Sequence, residues 1–464
     1  MREIPKKGID KSTVYYWLLQ QYSNAGLRFY YKKIESRNRQ NIERGKPVII
    51  ASNHQNSLMD ALLLVYDIGF QPVFLTRADI FKGNIARRIL AFLKMMPIYR
   101  KRDGVENLKR NDEIIEQSLQ ILRNSENPLC IFPEGNHNEK RMLRLLSKGV
   151  FRIAFNAQEE HGESRGVKIV PVGLDYSNYQ KLHQTVTINY GNPIDVSEYY
   201  LTYKNDSTEG TRVLNERLME EMRKLMIDIR NDNYYDLYMN LRIIYNPTIC
   251  AKMGINNKTA ANRFDADKNM IRILDSHYEK APDDLKELDI MTKTYVTLLK
   301  KYNFRDWVVR KGNFSLPLLA AESLFLVLLL PIFLLGIMIN IIPYYFPLQY
   351  TRSKIKDPQM HSSFNFVIGI FLFPAWYILL MIPVFIFAKS ITVIIAILLL
   401  LPVSGYLCFQ LYLQMKRNWA KIRYMVMKSF RKINIQEMNR LRAEIIQRMD
   451  QITSKANIHY ESSR

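Results

Sequence analysis

The sequence contains few cysteines. Only three occur among its 464 residues, Cys130, Cys250 and Cys408, and they lie far apart. This distribution fits neither a disulfide framework nor a zinc site with closely spaced ligands, and it is typical of proteins in a reducing compartment. We therefore predict a protein without disulfides and without a metal site.

Acidic residues are also in deficit. Asp and Glu number 44 against 66 Lys and Arg, which gives a formal net charge of +22 and a sequence pI near 9.6. Such an excess of positive charge predicts attraction to phosphate groups on nucleic acid, anionic lipid or small substrates. Many of the cations flank apolar runs, and no recognised nucleic-acid-binding module is present, so we expect no nucleic-acid partner.

Long apolar runs lie in the last third of the chain. One covers residues 316–346, and another covers 364–413, where Lys389 is the single charged residue. A membrane-spanning helix needs about 20 apolar residues, so the second run suffices for two spans and the first for one. We therefore predict a transmembrane region of two or three spans at 313–415. The basic amphipathic tail predicted at 416–464 suits an anionic membrane surface.

Basic residues flank both ends of the apolar region, at 300–311 and at 416–432. Such residues favour the cytoplasmic side of a membrane. Three spans cannot place both flanks there. Either the first apolar run is re-entrant, which gives an even number of spans, or one basic flank lies outside.

Two further segments are predicted to be helical. Aromatic residues alternate with cations between Val14 and Lys33, which predicts one or two amphipathic helices within residues 1–44. These helices either lie at a membrane interface or pack on the following domain, and we expect no signal peptide before them. Residues 196–312 are rich in charge, Asn and Tyr, and predict a helical extension that serves as a lid or as a connector to the membrane.

Strand-like and helix-like stretches alternate between residues 45 and 195. This alternation predicts an α/β sandwich with a largely parallel sheet, whose loops at the strand ends gather the functional residues. The predicted strands are 47–51, 73–76, 96–99, 129–132, 168–174 and 185–190, and helices are predicted at 84–94, 106–123 and 150–159.

A histidine and a carboxylate flank the turn after the first of these strands. His54 follows the strand, and Asp60 lies in the first turn of a helix that Ser57 would cap. Histidine is suited to accept a proton from a hydroxyl near neutral pH, and a carboxylate on its far nitrogen would fix its tautomer. Ser57 and Asp60 also match a capping box. Asp60 could therefore merely cap the helix, with His54 an ordinary turn residue.

Three later stretches join the His54 turn in a specific order. Residues 96–100 are MPIYR, residues 131–136 are IFPEGN and residues 169–173 are IVPVG. Together with the His54 stretch they resemble the four sequence blocks of the glycerophospholipid acyltransferase family, which includes glycerol-3-phosphate and lysophosphatidate acyltransferases. The resemblance identifies residues 45–195 as an acyltransferase α/β domain.

The sequence departs from the family pattern at two places. The family usually has four residues between its histidine and aspartate, whereas five separate His54 from Asp60, as in a longer-spacing variant. The family also usually continues its proline-glutamate-glycine block with a threonine-arginine pair, but here Asn136 and His137 follow. Three later cations could replace that arginine: Lys140, Arg141 and Arg144.

The resemblance implies catalytic and acceptor-binding roles. His54 would deprotonate the acceptor hydroxyl, and Asp60 would orient its imidazole. Glu134, Gly135 and Asn136 would hold a glycerol phosphate acceptor. Glycine allows a backbone amide to approach a ligand closely, and the carboxylate can order the loop or accept a hydrogen bond. A plain turn is the alternative for this block.

Three cations are further candidates for substrate binding. Arg100 and Arg77 lie at strand ends, and Lys148 opens a helix. The fork geometry of a guanidinium suits phosphate, although each of these residues could equally be a solvated surface cation. His137 has no partner that the sequence reveals, and we predict it at the surface.

The resemblance implies an integral membrane O-acyltransferase of phospholipid synthesis, with its catalytic domain on the cytoplasmic face. It would transfer a fatty acyl group from an acyl thioester, either acyl-CoA or acyl carrier protein, to glycerol-3-phosphate or lysophosphatidate. The partners are then the donor, the acceptor and membrane lipids, without a separate cofactor. Two alternatives stay open: another acceptor, such as a lysophospholipid or an amino-acid lipid, and an inactive lipid-binding scaffold.

Overall fold

The computed structural model describes residues 8–99, 106, 110–138, 140–162, 166–430 and 434–455. The chain divides into two units. The first contains residues 1–228 together with 355–366, and the second contains 229–354 together with 367–464. The five-part division of the sequence stays a prediction.

One mixed β-sheet forms the centre of the first unit. Its strands are β1 (Lys33–Arg37), β2 (Val48–Ser52), β3 (Val73–Arg77), β4 (Met95–Ile98), β5 (Leu129–Ile131), β6 (Lys168–Tyr176), β7 (Thr185–Tyr190) and β8 (Ile194–Asp195). Their order across the sheet is β1-β7-β6-β2-β5-β3-β4, with β8 beside β6. Strands β2 to β6 pair in parallel, whereas β7 and β8 run antiparallel to β6. The predicted largely parallel sheet is thus confirmed.

Helices cover the sheet of the first unit. They are α1 (Val14–Tyr30), α2 (Leu58–Ile68), α3 (Asn84–Phe92), α4 (Asn111–Asn124), α5 (Gly149–His161), α6 (Ser197–Asn205) and α7 (Ser207–Leu225). Alternate residues of the strands, such as Ile49 and Ala51 of β2, join α4, α5 and α7 in one hydrophobic core. Every residue of β2 is buried, as expected of a central parallel strand covered on both faces.

Strand β1 differs from the sequence prediction. The sequence predicts amphipathic helices within residues 1–44, but Lys33–Arg37 of this stretch form a strand. The strand contains a single apolar residue, Ile34, so no alternation of apolar and polar residues reveals it. β1 lies at the edge of the sheet beside β7, where charged side chains are tolerated.

The second unit is built from helices. They are α8 (Tyr235–Ile244), α9 (Asn246–Lys252), α10 (Ala260–Lys280), α11 (Pro282–Lys301), α12 (Asp306–Lys311), α13 (Leu316–Leu328), α14 (Leu330–Lys354), α15 (His361–Phe387), α16 (Ile391–Ser429) and α17 (Ile435–Lys455). Helix α15 begins in the first unit and continues from Val367 in the second. The predicted helical extension before the apolar region is confirmed.

Three of the described helices are long and apolar enough to cross a membrane. They are α14, α15 with its preceding 3₁₀ turn (Pro358–Phe387), and α16. The first apolar run of the sequence is divided, since α13 ends at Leu328 and α14 begins beside Pro331. Proline lacks the N–H that a continuous helix would need at this point. Helix α13, with 13 residues, is shorter than a typical span.

Buried Asn340 links the three long apolar helices. Its side-chain amide donates to Ser404 Oγ at 3.0 Å, and its carbonyl oxygen accepts from the hydroxyl of Tyr377 at 2.7 Å. These residues lie on α14, α16 and α15. Polar side chains inside apolar helix bundles are commonly satisfied by such interhelical hydrogen bonds.

Candidate active site

The predicted site residues gather at one edge of the sheet. His54 follows β2, Arg77 ends β3 and Glu134 follows β5, and these strands run parallel. The carboxyl ends of parallel strands meet at a common edge, which is where α/β proteins usually bind ligands. Tyr176, the last residue of β6, lies at the same edge. The sequence did not single out Tyr176.

The turn that carries His54 is fixed to the sheet by Asn53. Its buried side chain donates to the carbonyl oxygen of Leu174 at 3.1 Å and accepts from the Leu174 amide at 2.7 Å. Further along the turn, Ser57 adopts a positive φ of 47°. This backbone conformation is uncommon for a residue other than glycine, and it occurs within the five-residue stretch between His54 and Asp60.

His54 and Asp60 form a hydrogen bond. The Nδ1 atom of His54 lies 2.9 Å from Oδ2 of Asp60. Asp60 is fully buried, while the His54 side chain is 18% exposed. A bond at Nδ1 leaves Nε2 as the nitrogen that can exchange a proton with a substrate. His54 and Asp60 are therefore close enough for the carboxylate to orient the imidazole. Their catalytic role stays a prediction.

The Asp60 carboxylate accepts three further hydrogen bonds. Its Oδ2 atom accepts from the backbone amides of Gln55 at 2.9 Å and Asn56 at 2.8 Å. Its Oδ1 atom accepts from the Tyr176 hydroxyl at 2.5 Å. Burial, reinforced by the charge of Asp60, raises the pKa of Tyr176 well above its usual value, so the tyrosine remains a donor. The Asp60 carboxylate therefore has two roles: it accepts from the backbone amides of the turn, and it orients the His54 imidazole. The side chain of Ser57 makes no capping bond.

Glu134 connects the loop after β5 to the His54 turn. Its Oε1 atom accepts from the backbone amide of His54 at 3.0 Å, and its Oε2 atom accepts from Arg144 Nε at 2.9 Å. Burial raises the pKa of Glu134, although Arg144 and the hydrogen bonds act against this shift. Gly135 has a φ of 68°, which explains the glycine there. The Glu134 carboxylate thus orders both loops.

Two rings border the imidazole of His54. Phe132 stacks on it with ring centroids 4.2 Å apart and planes 18° apart. His137 is nearly perpendicular to it, at 87° and 5.8 Å. The prediction of His137 as a surface residue is wrong, because its side chain is 10% exposed and its Nε2 atom lies 2.9 Å from Oδ2 of Asp357. Burial acts to raise the pKa of Asp357, but the His137 hydrogen bond and other contacts outweigh it and lower that pKa.

The remaining predicted site residues have varied surroundings. Arg77 pairs with Asp79 and donates to Asn136 Oδ1 at 3.3 Å, so it borders the Glu134 loop. Lys148 is exposed and immediately precedes α5. Arg100 lies outside the described residues.

Two of the cations suggested as replacements for the family arginine, Arg141 and Arg144, donate hydrogen bonds to groups near the site. Arg141 is buried and donates to Asp175 and to the carbonyl oxygen of Tyr176. Arg144 donates to Glu134 and to the carbonyl oxygen of Asn136. Arg141 therefore binds the carboxyl end of β6, and Arg144 binds within the Glu134 loop.

Comparison with known proteins identifies the domain. The family model described as Acyltransferase matches residues 33–175. Glycerol-3-phosphate O-acyltransferase 1 of Saccharomyces cerevisiae is 24% identical over 272 residues, which cover 54% of this chain and 34% of the yeast protein. The human 1-acyl-sn-glycerol-3-phosphate acyltransferase beta is 25% identical over 190 residues, which cover 38% of this chain and 56% of the human protein. This chain contains an acyltransferase domain of the glycerophospholipid acyltransferase family.

Two other relatives are named as acyltransferases of the same acceptor class. A probable 1-acyl-sn-glycerol-3-phosphate acyltransferase of Mycoplasma pneumoniae is 28% identical over 143 residues, covering 29% of this chain and 50% of that protein. The crystal structure of the 1-acyl-sn-glycerophosphate acyltransferase PlsC from Thermotoga maritima matches 45% of this chain and 79% of its own, with 18% identity and a TM-score of 0.32. The matched regions span between a third and just over half of the curated relatives.

Proposed function

We propose that the protein is a membrane-bound O-acyltransferase. It transfers a fatty acyl group from an acyl thioester to the hydroxyl of glycerol-3-phosphate or lysophosphatidate. The observation that carries this proposal is the 2.9 Å hydrogen bond between His54 and Asp60, within a domain of the acyltransferase family. The relatives named for these two acceptors support the substrate class.

The proposed reaction is a direct displacement at the thioester carbonyl. His54 Nε2 accepts the proton of the acceptor hydroxyl while the oxygen attacks the carbonyl carbon. The new C–O bond forms, the C–S bond breaks, and the departing thiolate takes a proton from the imidazolium. Asp60 holds the imidazole in one tautomer and stabilises its charged form, as the carboxylate does in serine hydrolase triads. No covalent intermediate with the enzyme is needed.

The loop around Glu134 is the proposed acceptor site. Arg77 and Arg144 both donate to Asn136, so two guanidinium groups flank this loop. Guanidinium groups bind phosphate oxygens well because their donors form a planar fork. Arg100 and Lys148 stay predicted contributors to substrate binding. The donor is acyl-CoA or acyl carrier protein, and no separate cofactor is proposed.

The apolar helices support the membrane location of the proposed enzyme. Three described helices are long and apolar enough to span a bilayer, and the acylated product dissolves in that phase. We place the catalytic domain on the cytoplasmic face, because the basic flanks of the apolar region favour that side.

The proposed function is tested with detergent-purified protein and labelled palmitoyl-CoA. We expect a labelled lipid to form with glycerol-3-phosphate or lysophosphatidate from a panel that also contains lysophospholipids and amino-acid lipids. The variants His54→Ala and Asp60→Asn should lose transfer, by roughly 10²- to 10⁴-fold for the histidine.

A second histidine–aspartate pair supplies the control. His277 Nε2 lies 3.0 Å from Asp284 Oδ2 on α10 and α11, outside the acyltransferase domain. His277→Ala and Asp284→Asn should retain transfer. If folded His54→Ala and Asp60→Asn proteins transfer acyl groups as fast as the unaltered protein, the mechanism is wrong. A product formed only with another acceptor would contradict the proposed substrate class.

A further inference from the structure

A segment remote in sequence lies against the candidate active site. We call residues Ile355–Phe366 the strap. It belongs to the first unit, although it follows α14 and runs into α15, two helices apolar enough to span a membrane. A hydrogen bond within the strap links its first residue to His361, because His361 Nε2 lies 2.9 Å from the carbonyl oxygen of Ile355.

One end of the strap contacts the residue beside the His54 ring. Asp357 bonds Nε2 of His137 at 2.9 Å, and its second carboxylate oxygen accepts from the backbone amide of Gln359 at 3.0 Å. His137 in turn lies perpendicular to His54, on a loop with no regular secondary structure. Together with Phe132 and Asp60, it restricts how the His54 imidazole can rotate.

The other end of the strap contacts the residue beside Asp60. Ser362 Oγ donates to Asn56 Oδ1 at 2.5 Å, and both side chains are buried. The backbone amide of Asn56 is one of the donors to the Asp60 carboxylate. Phe366 then packs edge-on against buried Tyr30, with ring centroids 5.6 Å apart. The strap is thus anchored next to each member of the His54–Asp60 pair.

We propose that the strap completes the acyltransferase site, with Asp357 and Ser362 as positioning residues. Asp357 acts through His137 to hold the His54 ring, and Ser362 acts through Asn56 to hold the turn that surrounds Asp60. The inference rests on the proposed function. Its physical reason is that a general base acts only from the correct geometry, and small displacements reduce turnover strongly.

Kinetics of strap variants test the proposal. Asp357→Asn and Ser362→Ala should each lower kcat by about ten- to a hundredfold, with KM for donor and acceptor little changed. Asp357→Glu should restore much of the kcat. The double variant His137→Asn, Asp357→Asn should be no slower than the slower of its two single variants, since the aspartate acts through the histidine. Unchanged kcat in both Asp357→Asn and Ser362→Ala would overturn the proposal.

The control for Asp357→Asn is Asp284→Asn. It breaks a histidine–aspartate pair of the same geometry and similar exposure away from the domain. We expect unchanged kcat. If both Asp-to-Asn variants lose activity equally, loss of a histidine partner affects the protein generally, and the positioning role is wrong.

A chemical measurement separates the strap from the proposed function. Diethyl pyrocarbonate modifies accessible imidazoles. Mass spectrometry of peptides digested from the modified full-length protein gives the rate at His54. Asp357→Asn should raise this rate several-fold by freeing the ring, whereas Asp284→Asn should not. An unchanged rate at His54 overturns the strap proposal. A protein that shows the increased rate but transfers no acyl group would instead contradict the proposed function.

Discussion

At the scale of single residues, Asp60 determines the geometry of the site. Its carboxylate accepts from two backbone amides, an imidazole and a phenol hydroxyl. Three of these donors belong to consecutive residues of the turn after β2 and bind Oδ2, while Tyr176 at the end of β6 binds Oδ1, so the carboxylate has little freedom to turn. A fully buried carboxylate is tolerable only when its oxygens are satisfied in this way.

Removing the phenol hydroxyl should weaken this arrangement. In Tyr176→Phe, Oδ1 of Asp60 loses its donor, and a hydrogen bond to a charged group contributes about 1.5–3 kcal/mol. We expect kcat/KM for acyl transfer to fall roughly ten- to a hundredfold. Steady-state kinetics on purified protein measure this effect.

Tyr190→Phe is the matched control for that variant. The Tyr190 hydroxyl donates to Asp67 Oδ2 at 2.8 Å, near the other end of α2. The same kind of buried bond is lost, but away from His54. We expect a similar loss of stability with unchanged kcat/KM. Equal activity in the two variants would argue against a role of Tyr176 in the site.

Site residues could be predicted from the sequence when they lie close to their partners along the chain, and not when they lie far from them. His54 and Asp60 are six residues apart, and their chemistry is visible in one short motif. Tyr176 lies 116 residues from Asp60, and Asp357 lies 220 residues from His137. Nothing local in the sequence marks a tyrosine at a strand end or an aspartate after an apolar helix as a partner. The fold alone brings them together.

At the scale of elements, β6 and α7 approach each other closely at Gly173. A Cβ atom built there would collide with the backbone carbonyl of Leu225 at the end of α7. That carbonyl oxygen accepts from Asn189 of β7 at 3.0 Å, so it cannot easily move away. This close approach packs α7 directly against the sheet.

Gly173→Ala should therefore destabilise the first unit. Overpacking of a well-packed interior typically costs about 1–3 kcal/mol, and here the colliding atom is backbone. We expect a lower thermal unfolding midpoint, measured by circular dichroism in detergent. Gly149→Ala is the control, because its nearest neighbour would be Ile98 Cδ1 at an ordinary 3.7 Å. Equal midpoints for the two variants would contradict the close approach.

Elements with a clear apolar pattern could be predicted from the sequence. The strands at Val73–Arg77 and Thr185–Tyr190 agree closely with the predicted ranges because their apolar runs are bounded by turns. The edge strand at Lys33–Arg37 carries mostly polar side chains, and pairing with β7 rather than apolar burial fixes it. The break between α13 and α14 depends on how the backbone accommodates Pro331, which hydropathy alone does not show.

At the scale of the whole molecule, the strap limits the number of membrane crossings. It contacts His137 and Asn56 of the candidate active site, so we expect the strap and this site to lie on the same side of the membrane. Between residue 228 and Ile355 the chain must then cross an even number of times or not at all. An even number means either that α13 and α14 both cross the membrane or that neither of them does. If α15 and α16 both span the membrane, we predict an even total number of spans.

An even total places both basic flanks on the side of the active site. Cysteines substituted at exposed Lys300, Lys356 and Arg417 should react with a membrane-impermeant maleimide from one side. A cysteine in place of Lys389, between α15 and α16, should react from the other side. The three native cysteines are buried and give a low background. Labelling of Lys300→Cys and Arg417→Cys from opposite sides would contradict an even total.

The position of the strap also has a consequence for biosynthesis. Ser362 is translated 306 residues after its partner Asn56, and α14 precedes the strap in the chain, so α14 leaves the ribosome before the strap can dock. The contacts of the strap with Asn56 and His137 therefore form late in synthesis, after the first of the three long apolar helices has been made. If the strap proposal is correct, a nascent chain that ends before the strap lacks these contacts and does not yet transfer acyl groups.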